Sequence, residues 1–417
     1  MFKVRFPRCF QVTSLLISSL YVFSFSQSDN IENFSCNRKN HDPEELTNIE
    51  YLGKCIFFDK ISSPPGVQSC ATCHGVNVGF TGPDPSINKT GGVYPGAVHQ
   101  RFGNRKPPSS AYATFSPVLH YDNQTGTFVG GNFWDGRATG ELLGNPAADQ
   151  ALGPFLNPVE QNNPSKASVL CQIARAPYSY LWLSAFRTPL TYYTPDQINT
   201  NYNRTGLAIA AFEASNQVSS FTSKYDYYLQ GKTELTPEEL QGLDVFNGSG
   251  KCAVCHSSTV GPYSDKPLFT DYSYDNLGIP RNPDNPFYRM DKVFVNGEPI
   301  NPEGKNWIDS GLGGYLKTTT QWASYANPNL GKFKVPTLRN VDKRPGMHFV
   351  KAYAHNGYFK SLKDIVHFYN TRDVESWPAP ELSENINITE VGNLGLTDAE
   401  EDALVLFMET LSDGYKP

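Results

Sequence analysis

Cys70-Ala71-Thr72-Cys73-His74 returns further along the chain as Cys252-Ala253-Val254-Cys255-His256. Two thiols flanking two small or neutral residues, with an imidazole next in line, form the attachment pattern of a c-type haem. Each thiol adds to a vinyl group and the histidine reaches the iron. Alone, either copy also suits a redox dithiol or half of a zinc site. The two copies together argue against both, because Cys36, Cys55 and Cys171 are scattered singly and supply no further ligand pair. The chain reads as a carrier of two covalent haem c groups, one on Cys70, Cys73 and His74 and one on Cys252, Cys255 and His256.

A chain of 417 residues has room for two or three domains. Its 39% hydrophobic content is enough for packed cores, while 31 prolines and 34 glycines predict long shaped loops. The expected fold class is mainly α: two cytochrome c-like haem domains with long irregular loops. A net charge of -6 without a Lys/Arg stripe excludes nucleic acid as a partner. A basic redox protein or a small neutral oxidant is compatible with it.

Lys3, Arg5 and Arg8 precede an apolar, serine-rich run from Val12 to Phe25, with small residues at Ser24 and Ser26. This reads as a signal peptide over 1–26, and the run is too short and polar for a membrane span once the signal is removed. The expected location is periplasmic. Export leaves Cys36, Cys55 and Cys171 free to form one disulfide of unsettled pairing.

Asp42-Pro43-Glu44-Glu45 reads as an N-cap, a first-turn proline and first-turn acids, opening a helix that runs towards Tyr51. The grammar recurs at Thr236-Pro237-Glu238-Glu239, a capping box, with Leu240, Leu243 and Phe246 as an apolar face before Cys252. Between the two units the chain is irregular from Gly75 to Pro164, then helical from about Leu207 to Tyr228. Gly231-Lys232-Thr233 is the expected boundary, giving an N-terminal haem domain over 27–232 and a C-terminal one over 233–417. Helices are again expected at Ser361–Tyr369 and, from the capping box Thr397–Glu400, to about Leu411.

Phe133-Trp134-Asp135-Gly136-Arg137-Ala138, followed by Gln150, Pro154 and Asn157-Pro158-Val159-Glu160, resembles the bacterial dihaem cytochrome c peroxidase and MauG family. So does Val335-Pro336-Thr337-Leu338-Arg339-Asn340-Val341 followed by His355-Asn356-Gly357. The resemblance spans roughly residues 45 to 411 and implies a peroxidatic haem on His74 and an electron-transfer haem on His256. It makes Glu160 the acid-base residue, Gln150 its distal partner and Trp134 the relay between haems. About six extra residues between Trp134 and Gln150 depart from the family's pattern. Chemistry supports Glu160 independently, since peroxide cleavage needs a base that takes a proton from one oxygen and returns it to the other. The competing readings are a solvated loop glutamate, an amide capping a loop at Gln150, and a plain core tryptophan.

The far side of the second haem is where the resemblance divides. Typical peroxidases carry a methionine fourteen residues beyond the histidine matched by His355; here that position is Tyr369, and MauG-type members have a tyrosine there. A phenolate favours ferric and higher states, a thioether the ferrous one. Met347 and Met290 compete as ligands, and His367 is expected to face out. His99 sits in the loop from which typical members draw a removable ligand to the first haem, with a surface histidine as the other reading. Asn104 is similar to the family's side-chain ligand for an interdomain calcium, completed by carbonyls just before His355, although the insertion from Asp342 to Val350 disturbs that region.

The activity implied is reduction of hydrogen peroxide with electrons from a c-type cytochrome or cupredoxin. The alternatives are a MauG-like enzyme that oxidises a protein residue, and a dihaem electron carrier with no chemistry of its own. A homodimer is compatible with any of them.

Overall fold

The computed structural model describes Cys36, residues 45–64 and residues 66–417. The expected signal peptide and the Asp42-Pro43 cap lie outside these. In chain order the helices are α1 (Asn48–Phe58), α2 (Cys70–Cys73), α3 (Pro85–Lys89), α4 (Pro146–Leu156), α5 (Lys166–Arg175), α6 (Tyr180–Phe186), α7 (Pro195–Ala214), α8 (Lys224–Leu229), α9 (Pro237–Asn247), α10 (Gly311–Leu316), α11 (Leu362–Thr371) and α12 (Asp398–Glu409). Sheet is confined to two-stranded antiparallel ribbons: β1 (His120–Asp122) with β2 (Thr127–Val129), β3 (Tyr274–Asp275) with β6 (Phe333–Lys334), and β4 (Phe294–Val295) with β5 (Glu298–Pro299). The mainly α class holds.

Two cores organise these elements. One collects Leu52, Ile56, Phe57, Leu170, Trp182 and Phe212; the other collects Phe246, Phe269, Phe368, Leu404 and Phe407. Each is built around the same crossing. Helix α1 starts in a capping box of Thr47 and Glu50, and α9 in one of Thr236 and Glu239. Six residues after each cap comes a glycine, Gly53 or Gly242, pressed onto the main chain of Ala208 in α7 or Ala403 in α12. At both contacts a β-carbon would overlap the opposing carbonyl. Four residues further, Phe57 and Phe246 enter the two cores fully buried. The chain thus repeats a helix pair as well as a haem motif.

Three expectations about elements need correction, while α1 opens on a capping box in which Thr47 and Glu50 close the first turn. The buried face of α9 is Gly242, Val245 and Phe246, with Leu240 exposed. The helix expected from Leu207 to Tyr228 is two: α7 ends at Ala214 and α8 starts after the Ser223 cap, whose hydroxyl bonds Asp226. The stretch read as irregular contains α4, signalled by Asn145 accepting from the Ala147 and Ala148 amides and by Pro146 in the first turn.

Candidate functional site

The two motif histidines are fixed by one device used twice. His74 Nδ1 lies 3.0 Å from the carbonyl of Phe80, and His256 Nδ1 lies 2.8 Å from that of Phe269. Both phenylalanines have left-handed backbones, at φ 55° and 53°. Just before each, a carbonyl accepts a hydroxyl: Ser109 donates to Gly79 at 2.8 Å and Thr337 to Leu268 at 2.6 Å. With Nδ1 spoken for, Nε2 is the nitrogen each imidazole presents. Burial pushes His74 down to about 4 and lowers His256 as well, keeping both rings neutral. Cys70, Cys73, Cys252 and Cys255 are engaged in no disulfide. Two thiols, one neutral imidazole and an adjoining cavity form a donor set suited to covalent haem at each motif.

The first cavity gathers Cys70, Cys73, His74, Gln150, Pro154 and Glu160. Gln150 and Pro154 are one turn apart on α4, so a single helix face delivers both. Gln150 is therefore a helix residue, which removes the competing reading of an amide capping a loop. Pro154 has no N–H to return to it, which leaves the Gln150 carbonyl without its usual partner inside the helix. Glu160 follows where α4 ends at its cap, Asn157. Its amide donates to the Asn157 carbonyl at 3.0 Å, and Asn157 Nδ2 donates to Oε2 at 2.6 Å. The part-exposed surface of Glu160 opens onto this cavity, and burial raises its pKa against the pull of Arg137 and of Asn157.

Glu213 of α7, absent from the sequence-based candidates, lines the same cavity. It is 2% exposed, its Oε2 has no partner, and burial lifts its pKa to about 8. Its other contact is the Ser110 hydroxyl, which stands 3.1 Å from His74 Nδ1. Glu213 lies five residues after Ala208, and Met408 five after Ala403, so the repeat puts a carboxyl where the other half has a thioether.

The second cavity gathers Cys252, Cys255, His256, Tyr369 and Met408. Met290 is buried elsewhere, and Met347 is 88% exposed. Neither competing methionine stands on the cavity wall. His367 turns away, to Glu401 and Glu375. His99 is exposed and outside the His74 cavity, on a loop whose Ala97 amide donates to the Glu160 carbonyl. The Asn104 carbonyl accepts from Asn285, and Arg105 beside it is tied to Asp135 and Asp309.

Trp134 lines the second cavity and also a smaller one that shares His74 and Gln150 with the first. Phe133 before it is left-handed at φ 61°, which turns the indole inward until it is 9% exposed. Its Nε1 donates to the Lys106 carbonyl at 2.8 Å, and its ring meets that of His355 edge-on at 6.5 Å.

A family model described as di-haem cytochrome c peroxidase matches residues 47–234. The methylamine utilization protein MauG of Paracoccus denitrificans is 32% identical, over 88% of this chain and 89% of that protein. This chain belongs to the di-haem cytochrome c peroxidase and MauG family. Cytochrome c551 peroxidase of Pseudomonas aeruginosa is 27% identical, over 82% of this chain and 80% of its own length. Among solved structures, the diheme peroxidase BthA of Burkholderia thailandensis superposes with a TM-score of 0.70 at 28% identity, covering 89% of each chain. The chain is accordingly a dihaem oxidoreductase of the peroxidase type. The disulfide between Cys36 and Cys55, with Cα atoms 5.6 Å apart, joins the start of the described chain to α1. Among the described residues no helix is long and apolar enough to cross a membrane.

Proposed function

We propose that this chain reduces hydrogen peroxide at the His74 site, in the periplasm, with electrons from a small redox protein such as a c-type cytochrome or cupredoxin. On this reading residues 27–232 form the peroxidatic domain and 233–417 the electron-transfer domain. The meeting of Glu160, Gln150 and His74 on one cavity carries the reading. Among the described residues lining that cavity there is no second histidine and no methionine.

When bound there, the haem supplies the iron that receives peroxide and takes up its oxidising equivalents. Glu160 Oε2 is held by Asn157, so Oε1 takes the proton from one peroxide oxygen and passes it to the other, which departs as water. The raised pKa of Glu160 suits it to give that proton back. The Gln150 amide, on the same cavity wall, orients the departing oxygen. Two protons and two electrons convert the peroxide to two waters. The indole of Trp134, which shares one cavity with His74 and another with His256, offers the path for the electrons. The Cys36–Cys55 disulfide supports an oxidising compartment.

A second reading uses the equivalents to oxidise a protein residue, as the MauG relationship suggests. Tyr369 on the His256 cavity favours it, since a phenol oxygen there suits the storage of oxidising equivalents. Glu160→Gln tests the chemistry common to both. The ferric holoprotein should keep its paramagnetic-resonance spectrum while peroxide turnover falls by roughly a hundredfold or more. An unchanged rate would remove Glu160 from the reaction, and a parent protein inert to peroxide would leave only the electron carrier.

A further inference from the structure

Three main-chain carbonyls converge on one buried ammonium where the two halves meet. Lys351 Nζ donates to Val78 at 3.0 Å, to Asn340 at 2.8 Å and to Lys343 at 3.0 Å, and the residue is 4% exposed. Val78 belongs to the loop after the first haem motif, whereas Asn340 and Lys343 belong to the second half. The halves touch beside it, with Asn340 packed so closely on Gly79 that a β-carbon there, at φ 74°, would collide with it. A second buried lysine stands alongside. Lys106 Nζ donates to the Thr81 hydroxyl at 2.9 Å and to the Pro107 carbonyl at 3.1 Å. Its backbone amide donates to the His355 carbonyl at 2.8 Å, and its carbonyl holds the Trp134 indole.

Burial lowers the pKa of Lys351, and Lys106 adds to this. Its surroundings nevertheless require three donors: a neutral amine has two N–H groups and a lone pair, and that lone pair would face a carbonyl oxygen. The carboxylate facing Lys351, Asp342, is already paired with Arg344 at 3.0 Å. Divalent cations of the calcium type need six to eight oxygens, usually including carboxylates. Here the carbonyls are spoken for, two ammonium groups would repel the ion, and the carbonyl of Val350, one of those just before His355, accepts from Asn88 Nδ2 at 3.1 Å. A divalent cation therefore does not fit the carbonyls gathered around Lys351.

We infer that the seam between the two halves of the chain carries its own cation, the Lys351 ammonium with Lys106 beside it, in place of a bound divalent metal. The charge is fixed by the chain, on the wall of the second cavity that Lys351, Lys106 and Trp134 all line. Metal content and chelation test this without reference to turnover. Dialysed holoprotein should contain no stoichiometric calcium, and EGTA should leave its thermal midpoint and its ferric paramagnetic-resonance spectrum unchanged. A calcium ion per chain after dialysis, or a spectrum altered by EGTA and restored by calcium, would overturn the inference. Lys351→Met leaves three buried carbonyls without a donor and should lower the thermal midpoint by several degrees. A variant as stable as the parent would also overturn it. If the variant fails to assemble, the metal analysis of the parent protein still decides.

Discussion

Glu160 stands between opposing influences. Burial raises its pKa, whereas Arg137 and the Asn157 amide favour the ionised form, and burial prevails. As a base Glu160 works only when ionised, so peroxide turnover should fall as pH drops through this raised pKa, at a pH above the ordinary carboxylate range near ~4.3. Arg137 is reachable by mutation because its side chain is 38% exposed. Replacing Arg137→Gln removes a charge that favours the carboxylate, so the acid limb of the pH–rate profile should move to higher pH. A limb that stays in place would mean that another group limits the rate. Glu160 was legible because its motif is local: the α4 cap, the Asn157 turn and the carboxylate follow one another within a few residues. Glu213 was not, since its role depends on α7 lying across α1, a contact between segments far apart in the chain. Only the register Ala208-to-Glu213 against Ala403-to-Met408 exposes it, and that register needs the helix crossings to be known.

The two crossings set the element scale. Gly242 touches the Ala403 main chain and also the Cβ of Phe407, so α9 and α12 approach too closely for any side chain between them. Gly242→Ala should push them apart and destabilise the holoprotein by about 3 kcal/mol, at the upper end of overpacking penalties, because the obstacle is backbone and cannot rotate away. Thermal denaturation of the haem-loaded variant measures this. A midpoint equal to the parent's would show that the pair slides to make room. The capping boxes at Thr236 and Thr397 were readable in advance because a cap is a short-range exchange of hydrogen bonds. The break between α7 and α8 was harder to read. Asp226, at the third position of α8, closes the capping box with Ser223 and takes a bidentate pair from buried Arg339 at 2.9 Å, a long-range partner. An ion pair of this kind, with Arg339 also lying over Tyr112, Phe221 and Phe269, overrides local propensity.

Across the whole molecule, one scaffold used twice presents different chemistry at its two cavities. Both histidines are oriented by a left-handed phenylalanine carbonyl, and both cores close over a glycine crossing. The difference lies in what faces each site: Glu160, Gln150 and Glu213 around the first, Tyr369 and Met408 around the second. Asymmetry of function thus requires no asymmetry of fold, only a few side chains on equivalent walls. Tyr369 is the substitution that weighs most on the second site, since axial ligands spread haem potentials over most of a volt. If its phenol oxygen binds the iron, Tyr369→Met exchanges a ligand that favours the ferric state for one that favours the ferrous state. The potential of that haem should then rise by on the order of 0.1 V or more in a spectroelectrochemical titration, with the first haem unmoved. Should both potentials and both spectra stay as they were, Tyr369 is only a wall residue and Met408, across the same cavity, becomes the side chain to replace next. The MauG-like reading would fall with it, because oxidising equivalents would then be stored beside a thioether that favours reduction.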